Sequence, residues 1–331
     1  MTATWAEVSA DVHVVALPMN VRFRGVAERE AVLLRGPAGW GEFSPFVEYP
    51  DAEAARWLRA GLAAAFTAPP VPVRAEVPVN ATVPAVAPAR VRQVLDRFPG
   101  CTTAKVKVAE AGQSLPDDVA RVAEVRAQLG AAGRIRVDAN GGWAVDDAVR
   151  ALTALAPHGL EYAEQPCSTL DDLGRLRLAL ARSGVDLLVA ADESIRKADD
   201  PLLVAAKGSA DVVVLKVAPL GGAHAALEVA QQCGLPVVVS SALDTSVGIA
   251  AGVALAAALP ELPFACGLAT GALFVRDVAT RPLLPRAGVL DVHRAASTAV
   301  SRDALAELAA PPDRQRWWLD RLARCHALLE D

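Results

Sequence analysis

Several features are missing from this chain of 331 residues, and each absence removes a class of protein. Cysteine is scarce and never paired as CxxC: Cys101, Cys167, Cys233, Cys266 and Cys325 lie far apart in the chain. That spacing points to free thiols rather than a disulfide framework or a cysteine-built metal centre. Positive charge is not in excess, with 33 Lys and Arg against 38 Asp and Glu and a formal net charge of -5. With no basic stripe anywhere, nucleic acid is not an expected partner. No apolar run reaches the ~20 residues of a membrane span. The most apolar stretch, VGIAAGVALAAALP at 247–260, reads instead as a helix whose Gly248 and Gly252 permit close packing on a sheet. The N-terminal MTATWAEVSADVHVV carries acidic residues and no long apolar core, unlike a signal peptide. A cytoplasmic protein is expected, with a small-molecule substrate, no membrane insertion and no obligate protein partner.

What is present is an ordinary globular composition, 53% apolar and 21% charged. The length accommodates one domain of about 200–250 residues and a smaller one. From residue 77 onward, short apolar strands alternate with amphipathic runs rich in Ala, Leu and Arg. The strands read VPVNATV (77–83), TAKVKVA (103–109), RIRVDAN (134–140), LEYAEQP (160–166), DLLVAADES (186–194), DVVVLKV (211–217), LPVVVSS (235–241) and FACGLAT (264–270). Helical runs such as DDVARVAEVRAQLG and DDLGRLRLALARSG separate them, the second ending in a glycine suited to a helix C-terminus. Eight such βα repeats predict an α/β fold, a (β/α)7-8 TIM-like barrel. An open doubly wound sheet is the competing architecture, but it usually brings a GxGxxG after its first strand, and none is here.

Residues 1–76 lack the βα repeat. VHVVALPM and REAVLLRG read as antiparallel strands, and a helix follows through AEAARWLRAGLAAAF. This is an α+β capping domain, joined by PPVPV to the barrel at 77–290. The C-terminal segment at 291–331 is helical and is expected to pack back on the cap, with Trp317 and Trp318 as anchors.

Charges fall at one level of the barrel. Lys107 ends the second strand, Asp138 the third, Glu164 the fourth, Asp192 the fifth and Lys216 the sixth. From Asp138 the intervals are 26, 28 and 24 residues, one barrel repeat each. Active sites of such barrels are built at the C-terminal strand ends. Apolar neighbours such as Val106/Val108 and Ile135/Val137 alternate with these charges, which turns the charges toward the barrel axis. Unpaired ions there would cost several kcal/mol each, so they need partners. Three carboxylates make a hard, oxygen-rich site suited to Mg²⁺, with Mn²⁺ possible; zinc would call for His or Cys. The five histidines all fall away from the strand ends. Lys107 and Lys216 flank this site from opposite walls, which suits removal of a proton beside a carboxylate by a lysine of lowered pKa. Lys105 lies in the same field and should help keep Lys107 partly neutral.

AKVKV, VDAN, EQP, ADES and VLKVAPLGG, in that order, resemble the enolase superfamily in its muconate-lactonising branch. That superfamily is a stock example of Lys or His bases working with Mg²⁺. The resemblance implies Asp138, Glu164 and Asp192 as metal ligands, Lys107 and Lys216 as the acid/base pair, and Glu193 as a neighbour outside the ligand set. Within the branch, NVRFRGVAERE and GWGEFSPFVEY resemble the o-succinylbenzoate synthase family of actinobacteria. This implies syn-dehydration of 2-succinyl-6-hydroxycyclohexa-2,4-diene-1-carboxylate in menaquinone synthesis. It also implies a substrate set of Lys105, Arg22, Arg24, Ser240, Ser241 and Gly267, with the loop around Arg22 and Arg24 closing over the succinyl carboxylate. One departure is Gln165, where a second acid often precedes the proline; it removes a charge from the rim. A racemase or epimerase of N-acylamino acids would suit the same two lysines. A Schiff-base lysine at Lys216 or a ligand-binding barrel are more distant readings.

Overall fold

The structure, a computed structural model, describes residues 3–23, 25–196 and 201–330. β1 (Val12–Phe23), β2 (Val26–Gly36) and β3 (Gly39–Phe43) form an antiparallel sheet in that order. Both faces of this sheet are buried, and the two-residue period of a strand separates them cleanly. Val15, Leu17, Ala31 and Leu33 join the core shared with the barrel. Val14, Ala16, Val32 and Leu34 pack instead with Trp57 and Leu58 of helix Asp51–Phe66 and Trp318 and Leu322 of helix Pro312–Glu330. Trp318 is fully buried, edge-on to Phe43. Helix Pro312–Glu330 packs in this cluster against helix Asp51–Phe66 and the N-terminal sheet.

β4 (Glu76–Pro78) leads into seven parallel strands: β5 (Ala81–Val83), β6 (Thr103–Lys107), β7 (Arg134–Asp138), β8 (Leu160–Glu164), β9 (Leu188–Ala191), β10 (Val212–Leu215) and β11 (Val237–Val239). They neighbour one another in sequence order. β12 (Val289–Asp291) returns to pair antiparallel with β4. The expected first strand, 77–83, is thus split at Asn80 between two sheets. The expected eighth, 264–270, is reduced to two parallel bridges, Val79–Cys266 and Ser240–Gly267. These bridges still close the ring: Asn80 N donates to Cys266 O at 3.0 Å and Gly267 N to Val239 O at 2.8 Å.

The connecting helices follow local signals. Thr169 Oγ1 accepts from Asp172 N at 3.1 Å to start helix Leu170–Arg182, and Gly184, at φ 70°, ends the turn beyond it. In helix Ser246–Ala258 a Cβ on Gly252 would stand 2.5 Å from Leu268 Cδ2, so the glycine allows close packing on the barrel. Among the described residues no helix is long and apolar enough to cross a membrane.

Inside the barrel, Arg136 forms a floor below the charged layer. It is fully buried, its Nε donates to Glu161 at 2.5 Å and its Nη1 to Ala265 O at 2.6 Å. Tyr162 and Phe264 stack against the guanidinium, with centroids 4.7 and 5.7 Å away.

Candidate active site

Register sets the charged layer. Lys107 pairs with Asp138 across β6 and β7, and Asp138 with Glu164 across β7 and β8. Asp192 and Lys216 each stand one residue beyond the last residue of β9 and β10. All five are buried, as is Lys105. Lys105 Nζ donates to Glu164 Oε1 at 2.7 Å and lies 3.2 Å from Asp138 Oδ2. Lys107 Nζ reaches Asp138 Oδ2 at 2.5 Å, and Lys216 Nζ reaches Asp192 Oδ2 at 2.5 Å.

Each carboxylate thus turns to a lysine. Among the described residues no three acidic, His or Cys side chains are drawn around a common centre. The donor set nevertheless fits a hard divalent cation: three buried carboxylates in one layer, all offering oxygen. Burial, then Asp138 and Asp192, push Glu164 up to about 7, against Lys105. Asp138 behaves differently, because Lys107 and Lys105 overcome its burial and hold it below the usual carboxylate range.

Burial pulls Lys107 below the ordinary lysine value, and the charge of Lys105 adds to this while Asp138 opposes it. Lys105 moves the other way: Glu164 and Asp138 outweigh its burial and keep it an ammonium. The two lysines of one strand are therefore shifted in opposite directions.

Lys105, Lys107, Asp138 and Lys216 line one pocket with Ser240, Ser241 and Gly267. Phe23 and Phe46 reach it from the cap, and the Phe23 ring lies 5.2 Å from Lys107 Nζ. Not every expected substrate group is there. Arg22 is exposed and does not line the pocket, because strand alternation in β1 turns Phe23 inward and its neighbour out. Arg24 lies outside the described residues. The backbone N–H groups of Ser240, Ser241 and Gly267 are already spent on barrel closure, donating to Leu215, Gly267 and Val239 carbonyls. The Ser241 hydroxyl lies 2.8 Å from Gly267 O and 2.7 Å from Thr270 Oγ1. What these residues offer the pocket is its shape and the Ser240 hydroxyl, rather than backbone donors.

Two residues of the site, Asn140 and Arg121, escaped the sequence reading, and a third, Gln165, was read as a rim position. Asn140, at φ 46°, accepts from Lys107 Nζ and donates through Nδ2 to Glu193 at 3.1 Å. Arg121 is buried and its Nη1 donates to Lys107 O at 2.7 Å, anchoring the end of β6 from outside the barrel. Gln165 is fully buried and is no rim residue. Its Oε1 accepts from Asp192 N at 2.8 Å and its Nε2 donates to Cys167 O at 2.8 Å, so a neutral amide ties strand ends together. Only Asn140 carried a usable signal, two residues after Asp138 at a strand end.

A wider cavity of about 190 Å³ lies elsewhere, between helices Asp51–Phe66 and Ser246–Ala258. Alanine and proline dominate its lining, and His224 is its one titratable group, so it offers no acid/base pair.

Residues 88–297 match the family described as enolase C-terminal domain-like, and residues 14–65 the enolase N-terminal domain-like family. The o-succinylbenzoate synthase of Mycolicibacterium smegmatis is 58% identical over 318 residues, covering 96% of this chain and 95% of that protein. That of Mycobacterium marinum is 54% identical over 99% of this chain and 97% of its own length. The chain belongs to the o-succinylbenzoate synthase family of the enolase superfamily. Solved structures agree on the fold. The muconate lactonizing enzyme from Pseudomonas putida superposes with a TM-score of 0.74 at 21% identity, over 91% of this chain and 98% of that one. An N-succinyl Arg/Lys racemase from Bacillus cereus gives 0.73 at 18% identity, over 91% and 97%. In this o-succinylbenzoate synthase family member, the charged layer is thus part of an enzyme, a lyase.

Proposed function

We propose that the pocket dehydrates 2-succinyl-6-hydroxycyclohexa-2,4-diene-1-carboxylate to 2-succinylbenzoate, with Lys107 moving the proton. The observation that carries this reading is that Lys107 and Lys216, on strands four apart in the ring, line one buried pocket. The neutral amine of Lys107 takes the hydrogen from the ring carbon bearing the carboxylate. As an ammonium it then returns that proton to the departing hydroxyl, so that one water leaves and the ring becomes aromatic. Lys216, held by Asp192, keeps its positive charge and faces the negative charge that develops on the substrate. Lys105 stays charged and helps keep Lys107 neutral. Asn140 aims the Lys107 amine, and Phe23 shields it from water. Asp138, Glu164 and Asp192 would hold Mg²⁺ or Mn²⁺, which supplies positive charge against the substrate carboxylate.

The racemase reading uses the same lysines, but its support is a likeness of fold at 18% identity. Turnover of the cyclohexadiene by the Mg²⁺-loaded enzyme, with and without EDTA, tests the proposal. Dehydration that EDTA abolishes and added Mg²⁺ restores is expected. Racemisation of an N-succinylamino acid without dehydration would overturn it.

A further inference from the structure

One buried carboxylate is used by none of this chemistry. Glu42, near the end of β3 in the cap, is buried, yet most of its hydrogen bonds go to the barrel. Thr245 donates to it twice, from N at 3.0 Å and from Oγ1 at 2.6 Å, and Gly248 N donates at 3.0 Å. Ser44 Oγ adds a fourth bond at 2.6 Å from the cap itself. Glu42 therefore caps helix Ser246–Ala258 from another domain. The fit leaves no slack, since a Cβ on Gly248 would stand 2.9 Å from Glu42 Oε2. Arg29 of β2 grips the same segment beside it, donating to Leu243 O at 3.3 Å and to the Ser44 carbonyl. Leu243 sits at φ 61°, a backbone that a non-glycine residue adopts only when held. The held segment is continuous with Ser240, Ser241, Ala242 and Leu243, which line the pocket facing Lys107.

We propose that Glu42 is a positioning residue: by capping the helix across the domain joint it fixes residues 240–245, and through them the substrate wall of the pocket. The inference rests on the function proposed above for that pocket. Glu42 touches none of the reacting groups, so its effect falls on substrate binding and leaves proton transfer at Lys107 largely intact. Burial and the neighbouring Asp244 push Glu42 up to about 7.

The test compares wild type, Glu42→Ala and Glu42→Gln for kcat, KM and amide hydrogen exchange. Loss of the capping bonds in Glu42→Ala should raise KM about tenfold or more and move kcat less than about threefold. Glu42→Gln keeps an acceptor for the helix N-terminus and should recover most of that loss. Amides of 240–248 should exchange faster in Glu42→Ala, while β6 to β9 stay protected as in wild type. If Glu42→Ala does not fold, the KM and local exchange of Glu42→Gln decide. An unchanged KM, a fall confined to kcat, or exchange accelerated throughout the chain would overturn the inference. A wild type that turns over nothing would count against the proposed function, and local exchange would still report on Glu42.

Discussion

Lys105 and Lys107 sit two residues apart on one strand, both buried and both bonded to carboxylates, yet replacing them should have opposite consequences. Lys107→Ala removes the group that moves the proton. General acid–base catalysis contributes about 10²–10⁴-fold per group, and Lys107 serves both proton transfers, so kcat should fall by about four orders of magnitude or more. The fold should hardly notice. Asp138 would keep Lys105 at 3.2 Å and the Asn140 N–H at 3.1 Å, so its charge is not orphaned. The expected cost is about 1–3 kcal/mol, a few degrees in Tm for a chain of this size. Lys105→Ala takes from Glu164 its one hydrogen-bonding cation among the described residues. Breaking a buried pair from one side costs about 3–5 kcal/mol, so this variant should lose more stability than Lys107→Ala. Thermal unfolding without added divalent cation, followed by kcat measurement with Mg²⁺, separates the two. The reasoning fails if Lys107→Ala keeps kcat within about tenfold of wild type, or if the two variants melt together.

Other outcomes follow from the same geometry. Because burial lowers Lys107, the rise of kcat/KM with pH as this amine loses its proton should come below the ordinary lysine value; a limb at or above 10.5 would contradict it. Glu42 is raised from 4.5 to about 7 in the folded chain, so the folded state binds the extra proton. The associated stability is present below pH 4.5 and is lost as pH rises through about 7, and Glu42→Gln should flatten that slope in urea titrations. Arg136→Met strips the barrel floor of its bonds to Glu161 and Ala265, and should cost about 3–5 kcal/mol while the folded fraction keeps kcat within about tenfold. Gln165→Ala leaves the Asp192 N–H without its side-chain acceptor and should lower Mg²⁺ affinity, read by equilibrium dialysis.

The sequence carried the barrel and its charged layer because both obey short periods. Alternation in TAKVKVA and RIRVDAN separates the lumen from the outer shell, and repeat-length intervals place Asp138, Glu164, Asp192 and Lys216 on successive staves. Long-range closure leaves no such trace. FACGLAT reads as a strand, but its pairing shrinks to single bridges at Cys266 and Gly267, which depend on Val79 and Ser240 far away in the chain. Arg22 came from the resemblance and not from the phase of its strand, and in β1 the buried residue of the two is Phe23. Gln165 looked like a missing charge, whereas its amide both accepts and donates between strand ends, which a carboxylate does not do. Glu42 was invisible for a simpler reason, since all of its barrel partners lie beyond residue 240.

The central claim is that the Lys107 amine takes the ring hydrogen. The direct measurement is turnover of a substrate deuterated at the carboxylate-bearing ring carbon, by wild type and by Lys107→Ala. A primary isotope effect in wild type, together with no detectable dehydration in the variant, is the predicted result. Dehydration by Lys107→Ala at a wild-type rate would assign the proton to another base and contradict the account.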